Sequence, residues 1–289
     1  MHRFSGRYLR QICLTVLTLI SAGGAFAQIA CGPVFQDLKS TRERYEELAE
    51  TLFLGNIDKA IPFSANLNRN PIWKLSLRNH KTGSQQKALF KPRPFGDADG
   101  WNRTTMEYVS YEINLLLGMD IIPPVAYRRN LRLGDSFFAE GSVQYFLPEA
   151  QNLSAVSRAD WNVSPELFLT DARVLDVLLQ NPDRHINNFM FGRNFINGES
   201  KPVLIDQAAA LRAGTNLTMT TPGPFGAENI QVFRKKTYEN LKALRREMFS
   251  NLREFISEQE VTDILSRRDG IVAYIDSLIV SQGLESVLR

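Results

Sequence analysis

Three polar positions near the middle of the chain have the types and spacing that phosphoryl transfer uses. In the stretch LLQNPDRHINNFMFGRNFINGESKPVLIDQAAAL, residues 178–211, Asp183 stands in a polar loop and Asn188 follows five residues later. Asp206 closes a short apolar run 23 residues after Asp183. A loop aspartate orients an attacking hydroxyl, an amide five residues on holds a metal, and an aspartate after a hairpin holds the same or a second metal. Hard oxygen ligands of this kind suit Mg²⁺ or Mn²⁺, ions that keep waters and bind through nucleotide phosphates.

The elements around these residues must bring them to one end of the fold. Apolar runs at 188–191 and 203–205, joined by a connector holding Asn197-Gly198, predict a β-hairpin that returns Asp206 to Asp183. Upstream, the alternation of IWKLSLRN, the turn HKTGSQQ and the run KALFK predict a second hairpin ending at Lys91. A lysine on such a strand pairs nucleotide phosphates when a glutamate of the next helix holds it. That helix is expected over 103–118 and offers both Glu107 and Glu112. Pro123-Pro124 breaks it, and strands are expected over 125–131 and 137–146. Five strands and one helix then make an upper lobe, with Leu147-Pro148 as a hinge where a nucleobase meets backbone groups. A helix over 34–54 stops at Gly55, and one over 165–180 delivers the Asp183 loop. A loop of Gly, Pro, Thr and Asn occupies 215–226, and 231–288 is helical by period.

Composition bounds the partners and the compartment. Arg3, Arg7 and Arg10 precede an apolar run over 12–20, and Ala25-Phe26-Ala27 offers a cleavage site, so residues 1–27 read as an export signal. The expected organisation is signal 1–27, an N-terminal region with the nucleotide-binding lobe over 28–147, and a helical lower lobe over 148–289. The signal holds three of the 34 basic residues and none of the 31 acidic ones, leaving 31 of each. A balanced chain gives no electrostatic case for nucleic acid, and no transmembrane span is expected after cleavage. Cys13 leaves with the signal, so Cys31 has no internal disulfide partner. The basic runs Arg234-Lys235-Lys236 and Arg245-Arg246 read as solvated helix faces.

In order and spacing, ALFKP, MEYVSYEINLLLGMDIIPPV, LLQNPDRHINNF and VLIDQ resemble the atypical kinases of the secretory pathway, the Golgi casein kinase and four-jointed group. More distantly they resemble HipA-like and phosphatidylinositol 3/4-kinase-like kinases. The resemblance implies an α+β, two-lobed protein-kinase-like fold, with a mostly antiparallel upper lobe carrying one key helix and a larger helical lower lobe. It implies ATP or a related nucleotide with Mg²⁺ or Mn²⁺, and an acceptor hydroxyl on a protein. Carried over residue by residue, Asp183 orients that hydroxyl, Lys91 pairs the phosphates, and Asp206 is the metal ligand. Asn188 stands at the second metal position. Counting back from Pro123 puts the family's helix glutamate, beside the metal and phosphates, on Glu107.

Two departures stand out against that pattern. FSANLNRNP, where a phosphate-covering loop belongs, has no glycine, and Asp206 is followed by Gln207-Ala208-Ala209 where much of the superfamily has Asn-Gly. They keep open a pseudokinase that binds or regulates a partner. A lipid or sugar kinase, or an adenylyltransferase, is a further alternative on the same fold. Outside the motif roles, Arg184 is expected to anchor its loop, His185 to pack beneath it, and Glu112 to lie on the surface beside a basic neighbour.

Overall fold

The computed structural model describes residues 39–64, 71–93, 100–193, 198–225 and 230–289, with side chains from 47 onward and none for Ser64. The signal segment, Cys31, most of FSANLNRNP and Asn197 lie outside the described residues. The chain is α+β and folds as two lobes, each around its own apolar cluster.

The upper lobe is a five-stranded antiparallel sheet in the order β1-β2-β3-β5-β4. Its strands are β1 (Asn56–Ser64), β2 (Ile72–Arg78), β3 (Gln85–Pro92), β4 (Val125–Leu133) and β5 (Ser136–Tyr145). Strand alternation sends Leu75, Leu77, Ala88, Phe90 and Val143 to one face, where α1 (Lys39–Leu54) covers them with Leu48 and Leu52. Gly55 ends α1 as expected: its N–H reaches the Thr51 carbonyl at 2.9 Å, and a Cβ there would stand 2.4 Å from that oxygen. The other face carries Lys91 and turns toward α2 (Thr105–Leu116). β1 is the strand that sequence reasoning does not place.

Below the sheet, α3 (Pro165–Leu179) is buried along most of its length. It starts on a Ser164 cap that accepts the Leu167 N–H, with a proline in its first turn that carries no N–H to satisfy. The expected hairpin is β7 (Phe189–Arg193) with β8 (Ser200–Leu204), in the register Phe189↔Leu204. A two-residue strand, β6 (Gln151–Asn152), pairs with β7 to make a three-stranded sheet. The C-terminal part resolves into α4 (Lys235–Ala243), a 3₁₀ segment Arg246–Leu252, α5 (Glu258–Gln282) and α6 (Leu284–Val287). Within its first basic run, Arg234 is not merely solvated: its guanidinium pairs with buried Asp171 at 2.9 Å. Among the described residues no helix is long and apolar enough to cross a membrane.

The lobes meet through specific bonds rather than a loose linker. Leu204 N–H donates to the Ile121 carbonyl at 2.6 Å, Arg103 N–H to the Ala208 carbonyl at 3.0 Å, and Tyr127 meets the Phe255 ring edge-on at 5.1 Å.

Candidate active site

Lys91 lies near the end of β3, opposite Ser142 of β5. Between these strands Gly141 is required, because a Cβ at that position would stand 2.4 Å from the Lys91 carbonyl oxygen and from the Phe90 ring. The glycine lets β5 run against β3 at the level of the lysine. Sixteen residues on, the first turn of α2 presents Glu107, 1% exposed, and its Oε1 accepts from Lys91 Nζ. The second oxygen, Oε2, accepts the backbone N–H of Gln207 at 3.0 Å. With both oxygens taken by N–H donors, Glu107 is an anchor for the lysine and for the loop after β8.

That loop places Asp206 on the opposite side of Lys91, with Oδ1 2.9 Å from Nζ and 44% of the side chain exposed. Asp206 has φ 59°. The left-handed turn that a glycine after the aspartate would permit is made by the aspartate itself, a residue whose short polar side chain tolerates αL. Strain of this kind persists where surrounding bonds over-determine the backbone. Here Ile205 N–H donates to the Asn188 carbonyl at 3.1 Å on one side, and Gln207 N–H is tied to Glu107 on the other.

The Asp183 loop is held from beneath. Gln180 closes α3 in αL and clasps Leu217 in both directions, with bonds of 2.9 Å and 2.7 Å. Asn181 accepts the Asp183 N–H at 3.1 Å through its side chain and donates to Gln207 Oε1 at 3.2 Å. Arg184 runs inward, only 5% exposed. It pairs with the equally buried Asp176 at 3.0 Å and donates to the Asn188 and Ile205 carbonyls at 3.2 and 2.8 Å and to Gln207 Oε1 at 2.6 Å. One guanidinium thus joins the helix, the Asp183 loop and the segment leading to Asp206. The expectation that Arg184 anchors the loop matches this arrangement.

Asp183 itself points away from these bonds, and its carboxylate has no hydrogen-bond partner among the described residues. Its carbonyl accepts the Asn188 side-chain N–H at 2.8 Å, and the Asn188 amide oxygen has no donor among the described residues. The charges form one field. Burial pushes the Asp183 carboxyl above the ordinary aspartate range and the Asp206 charge adds to that, while His185, Arg184 and Lys91 pull it back. The Lys91 ammonium holds Asp206 below that range against the opposing effect of burial. For Lys91, burial works against the charge, but Asp206 and Glu107 outweigh it and keep the amine protonated.

Two expectations at the margin of the site are corrected. His185 is exposed rather than packed under the loop. Its backbone N–H bonds the Asp183 carbonyl, and its side chain faces the carboxylates closely enough to lower both. Glu112 is not a surface partner of a base: it is largely enclosed, bonded to the Tyr108 hydroxyl, and burial pushes its carboxyl up to about 7. The residues that sequence reasoning did not pick out are Asp176, Asn181 and Gln207. Each is a polar residue beside a motif position whose partner is fixed by tertiary structure.

A divalent cation fits the oxygens that remain. Asp206 Oδ2 and the Asn188 amide oxygen are hard donors not committed to protein hydrogens. Among the described residues no cluster of three or more His, Cys, Asp or Glu is placed to hold a metal ion.

No protein-family model matches the chain, and no curated protein matches it. Among solved structures it is similar to the crystal structure of a Helicobacter pylori proinflammatory kinase, CtkA. That likeness has 14% sequence identity and a TM-score of 0.40, and covers 81% of this chain and 98% of that one.

Proposed function

We propose that the protein is a metal-dependent phosphotransferase that moves the terminal phosphate of a nucleoside triphosphate to a hydroxyl, with a protein as the acceptor. The observation that carries this reading is the Lys91 ammonium held between Glu107 and Asp206, in one electrostatic field with an uncommitted Asp183 carboxylate. Little covalent chemistry is asked of a protein in phosphoryl transfer, and positioning with charge stabilisation supplies most of the rate.

Each group has one task. Lys91 binds the phosphate oxygens, and Glu107 keeps it aimed. Asp183 aligns the acceptor hydroxyl and takes its proton as the oxygen attacks the terminal phosphorus and the bond to the bridging oxygen breaks. Asp206 and Asn188 would hold a divalent cation, which when bound would neutralise phosphate charge. The nucleotide lies along the sheet face that bears Lys91, with its base toward the Leu147-Pro148 hinge. The export signal read over residues 1–27 supports an activity outside the cytoplasm.

The test is label transfer from γ-labelled ATP, with Mg²⁺ or Mn²⁺, to the protein itself and to a generic acidic protein. Transfer is expected from the wild type and not from Asp183→Ala or Asp206→Ala. Absence of transfer and of any metal-dependent thermal shift with nucleotide would end the enzymatic reading. Mass analysis of the product separates an added phosphate from an added nucleotide.

A further inference from the structure

On the sheet face that carries Lys91, the register sets Lys91 opposite Ser142 and Leu89 opposite Gln144. Residues two apart on a strand share a face, so these four side chains point the same way. Gln144 is 7% exposed, yet its side-chain nitrogen is sealed from solvent and has no hydrogen-bond partner among the described residues. Most buried amides of native proteins are bonded, and an orphan calls for a partner from outside the protein or from water. Beyond Leu89 the same face is open and sets Lys74 among apolar side chains. Lys74 pairs with Leu89 and Ile61 with Lys74, and Ile61 and Phe63 are 44% and 52% exposed. Phe63 meets Phe146, next to the hinge, edge-on at 6.4 Å, and Lys74 Nζ sits 4.1 Å over the Phe146 ring.

We infer that Gln144 reads the edge of the purine and admits both adenine and guanine nucleotides. The inference rests on the phosphotransferase reading for the place of the phosphates at Lys91. A primary amide carries a donor and an acceptor, and among the described residues no hydrogen bond holds the nitrogen of this one. Turned one way, its oxygen accepts from the 6-amino group of adenine. Turned the other way, its N–H donates to the 6-oxo group of guanine. Gln144 is thus a specificity-determining residue, separate from the groups that act on the phosphates.

The experiment compares MgATP and MgGTP on the full chain, by kcat/KM for transfer and by thermal shift for binding, in the wild type, Gln144→Glu and Gln144→Met. The wild type is expected to use the two within about tenfold of each other, the range that one hydrogen bond controls. Gln144→Glu keeps an acceptor and loses the donor, so it shifts the ratio toward ATP by about 10- to 100-fold. Gln144→Met keeps the shape, loses both groups, and weakens ATP and GTP alike, through KM more than kcat. Rejection of GTP by the wild type, or an unchanged ATP-to-GTP ratio in Gln144→Glu, overturns the inference while leaving phosphotransfer standing. Binding of both nucleotides with the expected shift, but no transfer, sustains the inference and removes the enzymatic reading. Failure to bind either nucleotide removes both.

Discussion

Gln207, one residue beyond Asp206, donates its backbone N–H to the same Glu107 carboxylate that holds Lys91, at 3.0 Å. The upper-lobe helix therefore sets Lys91 and the loop after β8 with one side chain. Neither is positioned by its own element alone.

It follows that Glu107→Gln should disturb two groups together. The amide keeps the volume but offers one oxygen in place of two, so either Lys91 or Gln207 loses its acceptor. A displacement of about 1 Å in such a site costs on the order of a hundredfold in rate, and that loss is expected in kcat/KM with the fold retained. Steady-state kinetics beside circular dichroism of the same sample checks it. Full activity would mean that the carboxylate is dispensable.

Arg184→Met is expected to act on stability first. Its partner Asp176 is 5% exposed, and removing one member of a buried pair leaves a charge without compensation, at a cost of about 3–5 kcal/mol. The carbonyls of Asn188 and Ile205 lose a donor at the same time. Urea denaturation of Arg184→Met, Asp176→Leu and the double variant measures the coupling, and the double variant should be more stable than Arg184→Met alone.

How far the sequence reveals this site depends on whether a residue's partner is local. Lys91, Asp183, Asn188 and Asp206 are legible because their spacing survives in the linear chain and their elements announce themselves by period and by turn residues, whereas period leaves Glu107 and Glu112 equal and only the family resemblance chooses Glu107. β1 is not legible: NIDKAIPFS is an edge strand with almost no buried side chain, so it shows no period-two pattern. The support beneath the catalytic loop is hidden for a different reason. Asp176 and Gln207 meet Arg184 across 8 and 23 residues, and nothing in their own neighbourhoods marks them. His185 and Glu112 fail in opposite directions, since exposure is decided by elements elsewhere. The 3₁₀ turn Ile186–Asn188 follows His185, which stays outside the packing, while Phe255 packs against Tyr108 beside Glu112.

Asp183→Asn should separate activity from stability. Loss of the group that receives the hydroxyl proton lowers kcat by roughly 100- to 10,000-fold. The same change should raise the thermal midpoint at pH 7. A carboxyl whose folded-state pKa is raised favours the fold at low pH, and that contribution is lost as pH rises through it, so at neutral pH the charge is a burden on the native state. Thermal melts at pH 4 and pH 7 check the sign, and the advantage of the asparagine variant should be larger at pH 7.

Glu112 gives stability a pH dependence between acid and neutral conditions. Its carboxyl is pushed from the ordinary glutamate range up to about 7, first by burial, with the Tyr108 hydroxyl bond working in the opposite direction. The native state therefore holds a proton that the unfolded chain gives up near pH 4.5. Stability from this group is fully present below that pH and falls away until about pH 7, where the carboxylate is charged in both states. Glu112→Gln mimics the protonated form and keeps an oxygen for Tyr108. The variant should match the wild type at pH 4 and gain on it steadily up to pH 7, where the difference reaches about 1–3 kcal/mol. Because Glu112 lies on the helix that carries Glu107, nucleotide affinity measured over the same range tests whether the charged carboxylate loosens the Lys91 anchor. Parallel stability curves for the two proteins between pH 4 and 8 would show that Glu112 is solvated after all.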